Sequence, residues 1–582
     1  MQIVKTIYLL VIYSLYLPFA TVSAEVLQKK SLESVFKEAK QHPFNEKIKL
    51  YNTLFEKRNS FSSVENSLPF SNSIKNIPNF KFAISKYNHL INDEKTQAVQ
   101  SQIAQDAMTT HVIVHQKVRN AIKQYIDYKV SFGPHKDLFK NYQDHPELYV
   151  ERLITKRPIA FYGASDNTLF SFNNNQDSSI KNQITGFNEQ HMSAEIIKEY
   201  ISYNEMPFAA LCSLCSETFC INKGNRYNMA VLDDTDNHEP RALYCGMVGP
   251  RFERPGLMEW KHIIITENQN KNINGYGQFD QNVKKKKQQL LNIWANLYGI
   301  AYFPTFDEIN TAPDKNPLYI TLFSQADNTT AYFNADIYKK RMLFVIEPFL
   351  CNANAYAALK NKSAYVHVVG LGTGAWGSIG KMQPINKDLY KSTQYMLYSL
   401  QMDAYAQFLS EHIDSLKNIS DIDFSHWSKL HMEDVLKIFQ KYESLRVEAK
   451  YQENMTYTLF LKIKYTIQAI TAKFNTYLNK IEKIIVARRR IEYLSLKNDQ
   501  IKIYISFRNP FDKLKPEDQN KVLVANYAWD SNAYPGNEYY VGAFYASGDP
   551  AAACATTISE IQNPQINSYV AKNIIIYPQP SE

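Results

Sequence analysis

No glycine occurs between Gly380 and Gly536, and no proline between Pro384 and Pro510. A stretch free of the two residues that most often break regular structure reads most economically as a long helical segment. Cysteine is also scarce: six in 582 residues cannot form a disulfide scaffold. Charge of one sign is missing too. With 65 basic against 57 acidic residues the formal balance is only +8, which slightly favours an anionic ligand and carries no nucleic-acid signature. The basic runs 284–287 and 488–490 lack flanking aromatic platforms and read as solvated faces. There is no GxxxxGK[ST], which argues against a P-loop, and no GxSxG after a strand, which argues against an acyl-transfer nucleophile elbow. Beyond the N-terminus, no run is long and apolar enough to be expected to span a bilayer, so no stable membrane span is expected.

What is present indicates a folded chain. Hydrophobic content of 45% and aromatic content of 13%, including 40 tyrosines, argue against disorder. Lys5 precedes an apolar run from Thr6 to Ala20, and Thr21 to Ala24 supplies the small residues a signal peptidase reads. Residues 1–24 are therefore expected to be a cleaved signal peptide and the mature chain secreted. Residues 25–149, polar and rich in Lys and Gln, read as an N-terminal helical region. From 150 to 582, short β-rich runs (159–162, 262–266, 318–322, 342–346, 365–369) alternate with candidate helices such as 284–298, the pattern of an α/β sheet. The punctuation-free stretch at about 395–498 reads as a helical insertion. Within it Phe460, Ile463, Ile467, Ile470, Phe474, Tyr477, Ile481 and Ile484 step by three and four, a coiled-coil-like seam. That seam either packs on residues 432–449 as a hairpin or offers a surface for self-association. Residues 501–507 alternate as a strand that resumes the sheet.

Two segments carry chemistry. The first, VHVVGLGTGAWG (366–377), is a β-branched run followed by Gly370, Gly372, Thr373, Gly374, Ala375, Trp376 and Gly377. Glycines let backbone N–H groups approach an anion, so this loop is a candidate phosphate cradle. Its spacing is not the dinucleotide fingerprint, which also needs an acidic residue about 20 positions on. The second segment follows the apolar run 521–525. Asn526, Asp530, Asn537, Glu538 and Asp549 arrive there with Gly536, Gly542 and Gly548 between them, and carboxylates on glycine-punctuated loops at a strand's end suggest a site. Asn222 and Arg226 (NKGNR), and Arg251 and Glu259 (GPRFERPGLMEW), lie on loops that can complete a pocket. Cys212, Cys215 and Cys220 cluster, but no fourth ligand lies at zinc-finger spacing, so neither metal nor cofactor is expected. His367, alone on an apolar strand, reads as a core residue.

At these residues the sequence resembles a known family. VHVVGLGTGAWG is similar to the diphosphate loop of macrodomains of the poly(ADP-ribose) glycohydrolase type. AWDSNAYPGNE (528–538) and SGDPAAA (547–553) resemble the acidic loops of the MavL-like family, bacterial effector macrodomains that hydrolyse ADP-ribose from proteins. The resemblance runs from about Glu151 to Asn567 and implies a macrodomain-like mixed sheet flanked by helices. It makes Asp530, Glu538 and Asp549 the acidic site residues and 372–377 the phosphate loop. Glu538 stands where the family pattern has Asp, which alters that carboxylate's reach.

The chemistry is consistent with such a ligand. ADP-ribose needs backbone donors for its diphosphate, acceptors for ribose hydroxyls and a face for the base, for which Trp376, Trp529, Tyr539 and Phe544 are candidates. Cleavage at the anomeric carbon passes through an oxocarbenium-like state that one carboxylate stabilises while another activates water, a task suited to Asp530 or Glu538. Two readings follow: an exported hydrolase acting on ADP-ribosylated protein, or a non-catalytic ADP-ribose reader that works through its helical arm.

Overall fold

The structure, a computed structural model, describes residues 102–158, 194–233, 235–278, 285–311, 317–451, 490–531, 547–564, 567 and 569–578. Ten strands form one mixed sheet: β1 (His111–His115), β2 (Cys212–Phe219), β3 (Arg241–Met247), β4 (Ala364–Val368), β5 (Ile419–Ser425), β6 (Glu448–Tyr451), β7 (Ile491–Leu496), β8 (Ile501–Ser506), β9 (Val522–Ala528) and β10 (Asn573–Tyr577). They lie in the order β6-β7-β8-β5-β4-β9-β3-β2-β1-β10. The middle run β8-β5-β4-β9-β3 is parallel throughout. Antiparallel strands continue it on both sides, and β10 pairs in parallel with β1 at the edge.

Burial explains the apolar character of the middle strands. All five residues of β4 are buried, as are five of the seven in β9, because parallel strands are covered on both faces. Helices flank the sheet: α1 (Gln116–Phe132), α2 (Lys285–Tyr298), α3 (Ala335–Leu359), α4 (Thr393–His412), α5 (Met432–Phe439) and the short α6 (Asp549–Ala553). Helix α3, capped by the Asn334 side chain on the Ile337 N–H at 3.0 Å, packs against β1 to β5 and β10, and α4 packs on α3. A separate four-stranded antiparallel sheet joins Gln383–Pro384, Tyr319–Ser324, Thr329–Asn334 and Ile264–Thr266.

Several expectations are corrected. Within the supposed N-terminal helical region, residues 111–115 are β1, hydrogen-bonded between β2 and β10. Near 395, α4 is a helix as expected, but β5 follows it into the parallel core of the sheet and β6 extends the sheet at its edge. The stretch is thus no simple helical insertion: strands need no glycine or proline inside them, so missing punctuation could not exclude β5. The seam from Phe460 to Ile484 lies outside the described residues. The β-like run 342–346 is the interior of α3, a helix that reads as apolar because it is largely buried. By length and composition this 25-residue helix could cross a membrane, contrary to the sequence expectation. Here it lies across the sheet, and its Arg341 makes a buried ion pair with Glu259 at 3.2 Å.

Candidate functional site

Because β4, β9 and β3 are adjacent and parallel, the loops leaving their C-terminal ends emerge at one edge of the sheet. Those loops are the glycine loop after Val368, Trp529 and Asp530 after Ala528, and residues 248–252 after Met247. They interlock closely. A Cβ built on Gly249 would stand 2.3 Å from the Gly372 nitrogen, and one on Gly372, whose φ is +60°, would stand 2.8 Å from the Pro250 carbonyl oxygen. Only glycine tolerates both the contact and the dihedral. Gly374 differs: among the described residues, a Cβ there would meet nothing within 4 Å.

Helix α4 braces the loop. The Gln401 side chain, fully buried, accepts from the Leu371 N–H at 3.1 Å and donates to the Leu371 carbonyl at 2.6 Å, with a further bond to the Tyr338 hydroxyl at 2.8 Å. Gln394 donates to the Thr373 carbonyl at 3.2 Å. With their own carbonyls held, the loop's remaining N–H groups keep a fixed direction.

Along this edge runs a cavity of about 1080 Å³. Of the residues singled out from sequence, Gly370, Gly372, Thr373, Gly374, Ala375, Trp376, Asn526, Asp530, Asp549 and Arg226 line it. Segments 154 residues apart meet where the Trp376 indole N–H donates to the Asp530 carboxylate at 2.9 Å. Arg251 supports the pair from behind, its guanidinium 5.3 Å from the Trp376 ring and donating to the Asp530 carbonyl at 2.9 Å. Burial lowers the Arg251 pKa, opposed by the negative charges of Glu259, Asp530 and Glu253. Glu259 in turn accepts from the Arg251 N–H at 3.3 Å and pairs with Arg341. The result is a buried chain from α3 to the cavity wall. Asp549, 2% exposed, opens α6 on the cavity's other side.

Other residues fall elsewhere. Asn222 does not line the cavity: its amide donates to the carbonyls of Val231 and Cys554 and accepts from the Gly224 N–H, tying the 222–231 loop to the end of α6. Asn526 is fully buried in the floor, where its oxygen accepts from the Val369 N–H at 2.8 Å and so fastens β9 to the start of the glycine loop. Gly377 closes the loop on the Gly374 carbonyl, and a Cβ on it would stand 2.2 Å from the Gly372 oxygen. Among the aromatic candidates, Trp529 is buried, while Tyr539 and Phe544, with Asn537 and Glu538, lie outside the described residues. His367 is wholly buried, bonds through Nε2 to the Arg508 carbonyl and has its pKa pushed down to about 3, mainly by burial. All six cysteines are free thiols, and only Cys351 is not fully buried.

Sequence reasoning missed Tyr398, His426 and Asn509, which line the far end of the cavity. His426 follows β5 and Asn509 lies three residues beyond β8. Position just after a strand was the available signal for His426, hidden while β5 was read as helix, and for Asn509, whose strand was read; Tyr398, inside α4, offered no such signal.

The fold and its site define an α/β protein with a ligand cavity at the carboxyl edge of parallel strands, where open α/β sheets characteristically bind ligands. The chain belongs to the MavL-like ADP-ribosylhydrolase family, whose profile, "ADP-ribosylhydrolase MavL-like", matches residues 72–579. Two relatives from Drosophila melanogaster are similar over most of their length. The ADP-ribosylarginine hydrolase CG3568 is 26% identical over 489 residues, 82% of this chain and 78% of the relative. The ADP-ribosylarginine hydrolase CG2909 is 25% identical over 477 residues, 80% of this chain and 78% of the relative. The enzyme is accordingly an ADP-ribosylhydrolase, which removes the reader alternative as its principal role.

Proposed function

We propose that this enzyme releases ADP-ribose from arginine side chains of modified proteins, by attack of water on the anomeric carbon of the ribose. The observation that carries the reading is the Trp376–Asp530 hydrogen bond, which puts a carboxylate of fixed orientation beside a glycine loop where no described atom lies within 4 Å of a Cβ at Gly374. The names of the two insect relatives support the arginine linkage.

In this reading the N–H groups of 372–376 bind the diphosphate, and Asp549 accepts from ribose hydroxyls. Asp530 or Glu538 takes a proton from water as the oxocarbenium-like centre develops, and the other carboxylate stabilises its charge. The bond between the anomeric carbon and the guanidine nitrogen breaks with its electron pair on nitrogen. The proton from water ends on that nitrogen, so the products are ADP-ribose and arginine. A macrodomain-like relation of loop to sheet belongs to the same reading.

The decisive assay incubates the protein with an arginine-linked ADP-ribosylated peptide and follows free ADP-ribose by mass spectrometry, with Asp530→Asn as the inert control. An enzyme that binds ADP-ribose yet releases none from the arginine linkage ends this reading. We also propose export with removal of residues 1–24, for which the apolar run and small residues before Glu25 speak. Recovery of a mature chain retaining Met1 to Ala24 would refute it.

A further inference from the structure

The loop 222–231 flanks the cavity beside α6, and its residues Arg226 and Tyr227 line the cavity together with Asp549. Its asparagine side chains bond to backbone groups. The Asn225 oxygen accepts from the Tyr227 N–H at 2.7 Å, and the Asn228 oxygen accepts from the Ala230 N–H at 2.9 Å. The Asn228 amide donates to the Ala551 carbonyl of α6 at 3.1 Å, so the loop is fastened to the helix that Asp549 opens. On its other side the Phe511 N–H donates to the Lys223 carbonyl at 3.0 Å, and a Cβ on Gly224 would stand 2.7 Å from the Phe511 ring.

The apolar side chains of this braced loop are left outside. Tyr227, Met229 and Val231 are 40%, 39% and 63% exposed. Single apolar residues on a surface are ordinary, but three within five residues of one loop, bordering a ligand cavity, mark an interaction surface. The backbone holds them there against its own preference: Met229 and Ala230 have φ of +50° and +56°, the left-handed region that residues with a Cβ avoid. A surface braced on two sides needs little ordering when a partner arrives, which favours binding.

We propose, on the arginine-linkage reading above, that Tyr227, Met229 and Val231 dock the polypeptide that carries the ADP-ribose, by covering apolar side chains next to the modified arginine. In that reading the ribose lies beside Asp530 and Asp549, and the bond to be cut joins it to the guanidine. An arginine side chain is short, so the polypeptide to which it belongs lies against the side of the cavity that holds those carboxylates. The loop shares that side with Asp549 and turns its apolar residues outward from it. Docking there uses contacts that free ADP-ribose does not make.

The test compares two arginine-linked ADP-ribosylated peptides of equal length and charge, one with leucine and one with serine on each side of the modified arginine, and free ADP-ribosyl-arginine. Wild type is set against the double variant Met229→Asn/Val231→Ser. Asparagine tolerates the left-handed backbone at 229, and neither change touches a residue that lines the cavity. Wild type should have a KM about five-fold lower on the leucine-flanked peptide, and the variant should lose most of that preference. KM on free ADP-ribosyl-arginine and the calorimetric Kd for ADP-ribose should stay unchanged. Val231→Ser alone, at the most exposed of the three positions, repeats the comparison should the double variant fail to fold. Equal KM on the two peptides in wild type, or a preference that survives in the variant, overturns this inference alone. A preference that survives while the variant's mass in sedimentation falls assigns the loop to contact with a second copy of the chain and overturns it likewise. Wild type that binds ADP-ribose but cleaves none of the three substrates overturns the arginine reading and this inference with it.

Discussion

Trp376 and Asp530 are joined by a 2.9 Å hydrogen bond between the indole N–H and the carboxylate, linking the loop after β4 to the residue that follows β9. The bond fixes the orientation of a carboxylate that lines the cavity. Trp376→Phe keeps the ring over Arg251 and removes only the donor. Turnover on the modified peptide should fall roughly ten-fold. Combined with Asp530→Asn the loss should be strongly non-additive, because both changes act on one group. Additive losses would separate the tryptophan from the carboxylate's role.

Asp530→Ala removes one of the two carboxylates proposed to act on water and on the oxocarbenium-like centre. A loss of about 10²–10⁴ in kcat is expected, with ADP-ribose binding retained in calorimetry. Full activity in a folded variant would move the role to another carboxylate.

The loop glycines should divide into two kinds. A Cβ at Gly374 meets no described atom within 4 Å, so Gly374→Glu should melt near the wild-type temperature yet lose ADP-ribose binding, because the new carboxylate repels the diphosphate. Gly372→Ala must hold a φ of +60° against the Pro250 carbonyl. Strain of about 1–2 kcal/mol plus the contact should lower Tm. Calorimetric binding and melting on the same two proteins check the division.

Gln401 holds both backbone polar groups of Leu371 from inside the protein. Gln401→Leu leaves them buried and unmatched, at a cost of about 1–3 kcal/mol for each group. Denaturant unfolding should report the loss, and weaker ADP-ribose binding should accompany it as the loop loses its brace. Weakened binding without loss of stability would contradict this account.

Stability should also depend on pH through Glu253, whose ordinary value is 4.5 and which burial raises to about 8; nearby Arg251 and Arg254 lower it and Glu259 raises it. The folded chain therefore keeps a proton that the unfolded chain releases. This contribution is fully present below pH 4.5 and is lost as pH rises through about 8. Glu253→Gln should match wild type near pH 4.5 and exceed it at pH 8 by something on the order of 1–3 kcal/mol. Melting curves at the two pH values decide it; a variant no more stable at pH 8 would show that the carboxyl finds solvent.

Some elements were readable along the chain because their signal is local. The β-branched run before Gly370 and the alternation at 501–507 are strands in the structure, and 284–298 holds a helix. Others were not readable for a physical reason. Residues 111–115 lie against a helix in sequence and gain their strand partners, β2 and β10, only from segments about 100 and 460 residues away. Residues 342–346 look like a strand, yet they lie inside a 25-residue helix whose buried face is wide.

Residue identity and order set the chemistry on offer: glycines that admit a close anion, and carboxylates on loops after apolar runs. Which groups meet was decided by tertiary structure alone. Asn222, singled out as a ligand contact, gives its amide to backbone carbonyls, while Arg251, singled out only as a residue that could complete a pocket, reaches both Trp376 and Asp530. The reason is that β9 inserts between β4 and β3, so that parallel pairing across more than 150 residues brings three distant strand ends to one edge. No local pattern encodes that pairing, because each partner strand lies more than 150 residues from β9 in the sequence.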